Sequence, residues 1–212
     1  SLILIQKLEF DTIYHEHISY FSIIPLLKWL KKYNLEIFDV QKKRVHGGTI
    51  RVYVSKRGKF KIKKSVEKII IIEKKYGMNK IGTFRIFTKK VECLRNNLLK
   101  KINELKENNE LFGYGAPAKG NVLLNYCQID NKILDFITDT TKMKQGKYAP
   151  GSKIKIISPK IISKKGTGCI ALLLAWNYKL AIIKKEKKFL EQGGKFLIPV
   201  PNPKLIENWK NL

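Results

Sequence analysis

The sequence predicts an α/β protein with a parallel, Rossmann-like sheet in its C-terminal half. Three observations carry this. From residue 109 onward, short apolar runs alternate with helical patterns, the order that builds a parallel sheet. GCIALLLAW (168–176) is almost unbroken apolar sequence, as a central strand covered on both faces must be. LFGYGAPAKG (111–120) passes from strand into helix through a glycine-rich turn.

Taken in order, LILI (2–5) reads as a strand and FDTIYHEHISYFS (10–22) as the loop after it. IPLLKWLKKYNL (24–35) sets Leu26, Leu27, Trp29 and Leu30 on one side, with Pro25 near its start, and reads as an amphipathic helix. Ile37, Phe38 and Val40, followed by Ile50, Val52 and Val54 alternating with polar residues, predict two strands joined across a turn. GKFKIKKS (58–65) is a polar linker. Phe84, Phe87, Val91, Leu94, Leu98, Ile102 and Leu105 recur at spacings of three and four, which predicts a long connecting helix of roughly six turns with one apolar stripe.

Beyond it, NVLLNYCQI continues the glycine-rich turn as helix, and KILDFITDT (132–140) is a strand ending at Asp139. KIKIIS (153–158) is a short strand stopped by Pro159. A helix over 178–191 and a closing strand, KFLIPVP (195–201), complete the pattern.

Composition bounds the function. At 212 residues, 44% of them hydrophobic, the chain can bury one large core or two small ones. Its net charge of +26 would normally point to nucleic acid or an anionic membrane. Yet of the 43 basic residues only Arg44, Arg51, Arg57, Arg85 and Arg95 are arginines, and the lysines are spread along the whole chain. Base and phosphate readout favour the bidentate arginine fork, so the charge reads first as a solvated surface and nucleic acid is not the expected partner. Cys93, Cys127 and Cys169 are scattered, without CxxC spacing, as for reduced thiols in a cytoplasmic protein. No apolar run approaches the ~20 residues of a membrane span, and no signal-peptide layout opens the chain. The start, without Met and in mid-strand character, suggests a fragment or an internal start.

Four stretches carry chemistry. In GYGAPAKG, Gly113 and Gly115 let backbone approach a ligand, and Lys119 adds a charge in the first helical turn; the same pattern also serves as a tight packing turn. TDTTKMKQGKYAPG (138–151) begins at a strand's carboxyl end, where open α/β sheets bind ligands, and brings Asp139, Lys142, Lys144 and Lys147 to that edge. Together these two favour a diphosphate-bearing ligand. HGGT (46–49), with Arg51 after it, reads as a hairpin turn or a substrate loop. YHEHISYF (14–21) holds two of the three histidines. A closed zinc site wants four ligands and these two histidines lack further partners nearby, so no metal is expected. The stretch is then either an ordinary loop or an acid–base segment of His17 and Glu16, with Tyr14 or Tyr20 holding a hydroxyl.

Taken together and in order, YHEHISYFS, HGGTIRVYV, GYGAPAKGNVLLNY, TDTTKMKQGKYAPG, LLLAWNY and GGKFLIPVPNP resemble the C-terminal part of the sugar C-methyltransferase family. The resemblance implies an S-adenosylmethionine-dependent enzyme that methylates C-3 of a nucleotide-linked deoxysugar, commonly a dTDP-4-keto sugar. It implies three regions here: 1–57 as the C-terminal remnant of a class I methyltransferase domain, 58–108 as linker and helices, and 109–212 as the Rossmann-like C-terminal domain. The family's zinc module and its glycine-rich S-adenosylmethionine loop have no counterpart in the sequence, so no cofactor is expected within this stretch. A missing N-terminal half or a separate subunit would supply them, and the isolated stretch is not expected to methylate.

The resemblance also assigns roles. His17 is the base that removes the proton beside the ketone, Glu16 orients it or polarises substrate, and Tyr14 holds the sugar. His15, Tyr20, Gly113, Gly115 and Asp139 are further expected substrate-binding residues, and charge and placement, not the resemblance, add Lys119 and Lys147 as contacts to the diphosphate. The rival expectation is a non-catalytic nucleotide-sugar binding module.

Overall fold

The structure, a computed structural model, describes residues 1–43 and 47–211. The chain divides into two compact units, one of Ser1–Leu8 with Glu16–Lys90, the other of Glu9–His15 with Val91–Leu212.

In the first unit, α1 (Leu2–Gln6) is a helix, not the strand that LILI suggested. Four consecutive apolar residues fit either period. The decision falls to Leu2 and Ile5, buried three residues apart on one helical face, with Ile5 N–H donating to the Ser1 carbonyl. α2 (Ile23–Lys31) turns Ile23 and Leu30 into the core and packs Leu26 and Leu27 against it. Trp29 lies off that stripe, 51% exposed, with its ring 5.3 Å from that of Tyr33. From Ile23, positions 26, 27 and 30 fall within one face at 100° per residue, and position 29 does not.

β1 (Leu35–Lys43) and β2 (Thr49–Lys56) pair antiparallel as a two-stranded sheet, with a bulge between Ile37 and Asp39. The HGGT reading begins at His46, which lies outside the described residues. α3 (Lys64–Tyr76) presents Val66 and Ile69 to the core formed by Ile23, Ile37 and Val40. Its Glu73, almost wholly buried, accepts the N–H groups of Ile23 and Ile24 at 2.8 and 2.9 Å. This is a carboxylate on the first N–H groups of α2, where four donors lack intrahelical partners.

α4 (Ile81–Lys106) is the long helix the apolar stripe predicted, and the division between units falls within it. Its buried residues are Val91, Leu94, Leu98 and Ile102, all in the second unit. That unit is a six-stranded sheet in the order β5-β4-β3-β6-β7-β8. β3 (Glu110–Tyr114), β4 (Ile137–Thr138), β5 (Ile156–Ile157), β6 (Cys169–Leu173) and β7 (Lys195–Ile198) run parallel. β8 (Lys204–Ile206) turns back antiparallel on the edge. Sequence reading stopped at the prolines of PNP (201–203) and missed β8; those residues end one strand and reverse the chain into the next.

β6 is buried at every position, as its unbroken apolar run required. Between β3 and β4 lies α5 (Ala118–Cys127). The helix expected over 178–191 is two helices, α6 (Lys179–Lys185) and α7 (Lys187–Glu191), interrupted at Glu186. Glu186 leaves helical geometry and accepts a hydrogen bond from the Tyr114 hydroxyl at 2.8 Å. Among the described residues no helix is long and apolar enough to cross a membrane.

Candidate functional site

Parallel strands present their carboxyl ends together, and ligands of open α/β sheets sit at that edge. Here a cleft of about 340 Å³ opens there, lined by Tyr114, Gly115, Asp139, Lys144, Tyr178 and Lys185 among others. β3 delivers Tyr114 and Gly115, β4 delivers Asp139, and the segment after β6 brings Tyr178 and Lys185.

The two glycines of the turn do different work. Gly113 sits within β3 opposite Ile137, and a Cβ there would lie 2.8 Å from Ile137 Cγ1 and 3.1 Å from Leu174 Cδ1. Its requirement is close packing inside the sheet. Gly115 adopts φ of 81°, in the left-handed region, and lines the cleft itself.

Asp139 closes the turn. Its Oδ2 accepts the Ala116 N–H and its Oδ1 the Thr141 N–H, both at 2.7 Å. Lys144 Nζ lies 3.9 Å from Oδ2 and donates to the Ala116 carbonyl at 2.8 Å. Burial works to raise the Asp139 carboxyl, but the Thr141 and Ala116 N–H bonds, with Lys144 nearby, outweigh it and hold the group below the usual carboxylate range. The carboxylate therefore puts a negative charge in front of α5. A phosphate in this cleft has to be met by the lysine side chains, and Lys144 and Lys185 are positioned on its walls. Lys147 is exposed on the loop that Lys144 anchors.

Lys119 is engaged elsewhere. Its Nζ sits 3.7 Å from the centroid of the Trp176 ring, and burial lowers its pKa to about 8 against the opposing pull of Asp11 and Glu9. The Trp176 indole N–H donates to Asp11 Oδ2 at 2.6 Å. Tyr114 is a further group shifted by burial first and by the Glu186 carboxylate second, both upward.

The YHEH stretch is a bend and turn over residues 14–16, not an extended segment, so His15 and His17 are not aligned as i and i+2 would be in a strand. Tyr14 is half-buried and its ring meets that of His15 edge-on, with centroids 6.2 Å apart. His15, Glu16 and His17 are exposed, and the His17 ring meets Tyr20 edge-on at 6.0 Å. The chain passes from one unit to the other between His15 and Glu16. The structure thus brings together Tyr14 with His15 and His17 with Tyr20, and Gly115 with Asp139 in the cleft. Among the described residues no three His, Cys, Asp or Glu side chains gather as a metal site would need.

Sequence reading missed Tyr114, Tyr178 and Lys185 as cleft residues and the whole Asp11–Trp176 contact. The motif LLLAWNY marked the right place, since Trp176 and Tyr178 lie in it.

The fold is a mixed α/β domain built on a mostly parallel six-stranded sheet, with a cleft at the carboxyl edge. Residues 44–201 match the C-methyltransferase C-terminal domain, and the chain belongs to that family. It is also similar to "C-methyltransferase NovU" of Streptomyces niveus, with 37% identity over 208 residues, 96% of this chain and 49% of that protein. The chain thus spans about half the length of the curated relative it matches, namely its C-terminal part.

Proposed function

We propose that the chain is the acceptor-handling part of an S-adenosylmethionine-dependent C-methyltransferase whose substrate is a nucleotide-linked 4-keto deoxysugar, of the dTDP series. The first unit would then hold the C-terminal part of the methyltransferase domain and the second a Rossmann-like acceptor domain. The observation that carries the reading is the cleft at the carboxyl edge of the sheet, with Lys144 and Lys185 in its lining, in a chain of this family.

In this reading Lys144 and Lys185, with Lys147 on the same loop, offset the diphosphate charge, and Gly115 lets the backbone come close to it. His17 takes the proton from the carbon beside the ketone. The C–H electron pair moves into the new C=C bond as the carbonyl pair moves onto oxygen, giving an enolate. Glu16 orients the imidazole, while Tyr14, His15 and Tyr20 hold sugar hydroxyls and the developing oxyanion. Asp139, at the end of β4, accepts two backbone N–H groups, from Ala116 and Thr141, and fixes the turn. In this reading the methyl donor is held by the part of the enzyme that precedes these residues in the family. The mechanism here therefore stops at the enolate.

Enolisation can be read without a donor. Incubated in D2O with a dTDP-4-keto deoxysugar, the protein should wash deuterium into the carbon beside the ketone, and His17→Gln should abolish this. Wash-in no faster than in buffer, or unchanged in His17→Gln, would overturn the base assignment. Equilibrium dialysis with dTDP should show binding that weakens at least several-fold in Lys144→Met; no binding would sink the cleft assignment.

A further inference from the structure

The second unit takes only seven residues, Glu9–His15, from the N-terminal part of the chain, and these carry Tyr14 and His15. A single short 3-10 turn, Phe10–Thr12, seats them. It is held by an apolar contact, the Phe10 ring 4.9 Å from the Tyr126 ring of α5, and by a polar one that is costly to build. Asp11 is fully buried, its Oδ2 accepts the Trp176 N–H at 2.6 Å, and its Oδ1 finds no hydrogen-bond partner. Lys119, 3.7 Å from the centroid of the same indole, places a cation whose charge acts on Asp11.

An apolar contact in this place would hold a segment equally well, because burying a carboxylate and an ammonium costs desolvation that their attraction barely offsets. What a buried polar contact adds is direction: one N–H and one oxygen meet in one geometry only. Phe10 can slide on Tyr126; Asp11 cannot slide on Trp176.

We propose that Asp11, Trp176 and Lys119 form a positioning brace that sets where Tyr14 and His15 stand on the C-terminal domain. The three come from the N-terminal turn, the segment after β6 and the first turn of α5, so the brace ties the turn to α5 and to the segment after β6. Lys119 acts through the indole and Asp11. The importance of Tyr14 and His15 to catalysis rests on the function proposed above; the brace itself does not.

Amide hydrogen exchange separates the two. Trp176→Phe keeps the aromatic packing and the cation–ring contact but removes the donor. It should raise exchange across residues 9–15 by about tenfold, the effect of losing one hydrogen bond to a charged acceptor, while β3 and β6 exchange as in the wild type. Asp11→Asn, which still offers an oxygen to the indole, should stay near the wild type, and Lys119→Arg should stay nearer to it than Lys119→Met. In the deuterium wash-in assay Trp176→Phe should lower the maximal rate and raise the KM for the nucleotide sugar, because Tyr14 and His15 hold the sugar in the proposed function. The affinity for dTDP, which lacks the keto sugar they hold, should stay unchanged. Unaltered exchange at 9–15 in Trp176→Phe overturns the brace, as does an equal rise in β3 and β6, which would mean general loosening. Should the wash-in assay be blank even for the wild type, the function falls and the amide exchange still decides the brace.

Discussion

Glu73 Oε1 accepts the backbone N–H of Ile23 at 2.8 Å, from fifty residues further along the chain. With Oε2 on Ile24 N–H, one buried side chain caps the start of α2 from the neighbouring α3. Removing the carboxylate leaves the buried Ile23 N–H and the half-buried Ile24 N–H without their partner. Glu73→Ala should cost roughly 2–3 kcal/mol, read as a lower urea midpoint. Glu73→Gln, which retains one acceptor oxygen, should lose less. Equal losses in both variants would mean that the cap contributes nothing specific.

Asp39 gives the first unit an acid-sensitive joint. Lys63 first, at 2.9 Å, and then the Ser65 hydroxyl, at 2.7 Å, lower its pKa from 3.8 to about 2. The folded pKa lies below the unfolded one, so the contribution is complete above pH 3.8 and is lost as pH falls toward 2. The wild type should lose stability across that window, and Asp39→Asn should be less stable at neutral pH with a flatter acid limb. Parallel acid limbs, followed by far-ultraviolet circular dichroism, would remove Asp39 from this role.

Lys119 should titrate near pH 8, because burial disfavours its charge more than Asp11 and Glu9 favour it. A cation over an indole alters its emission. With Trp29 and Trp209 replaced by Phe, the fluorescence of Trp176 should change with a midpoint of about 8, and Lys119→Met should flatten the curve. The folded pKa lies below the 10.5 of an ordinary lysine, so this group makes stability rise with pH between the two values. A midpoint near 10.5 would place the ammonium in solvent.

Gly113 and Gly115 should fail differently. Gly113→Ala forces a methyl against Ile137 and Leu174 and should cost roughly 1–3 kcal/mol, seen as a lower melting temperature. Gly115→Val strains a positive φ and adds bulk at the cleft, so dTDP binding should weaken more than stability does. Identical profiles for the two variants would contradict the separate roles.

Much of this protein is legible in its residues. The stripe from Val91 to Ile102, the buried run of β6 and the glycine-rich turn after β3 are local patterns, because burial on one face imposes a period that neighbours in sequence must obey. The ordered motifs from YHEH to GGKFLIPVPNP identified the family because their residues and their order are themselves written in the sequence. Where local patterns were ambiguous they misled: LILI fits helix and strand alike, and Trp29 looked like core until its angle on the helix was counted.

What only the tertiary structure decided is which distant side chains meet. Lys119 carries a charge in the first turn of a helix, and its sequence neighbourhood suggests a phosphate. In the structure its ammonium lies over Trp176, because β6 brings that indole beside α5. Trp176 and Asp11 are separated by 165 positions, and no spacing rule connects them. Their hydrogen bond exists because a sheet of parallel strands gathers its carboxyl ends at one edge, and a seven-residue visit from the N-terminus lands there.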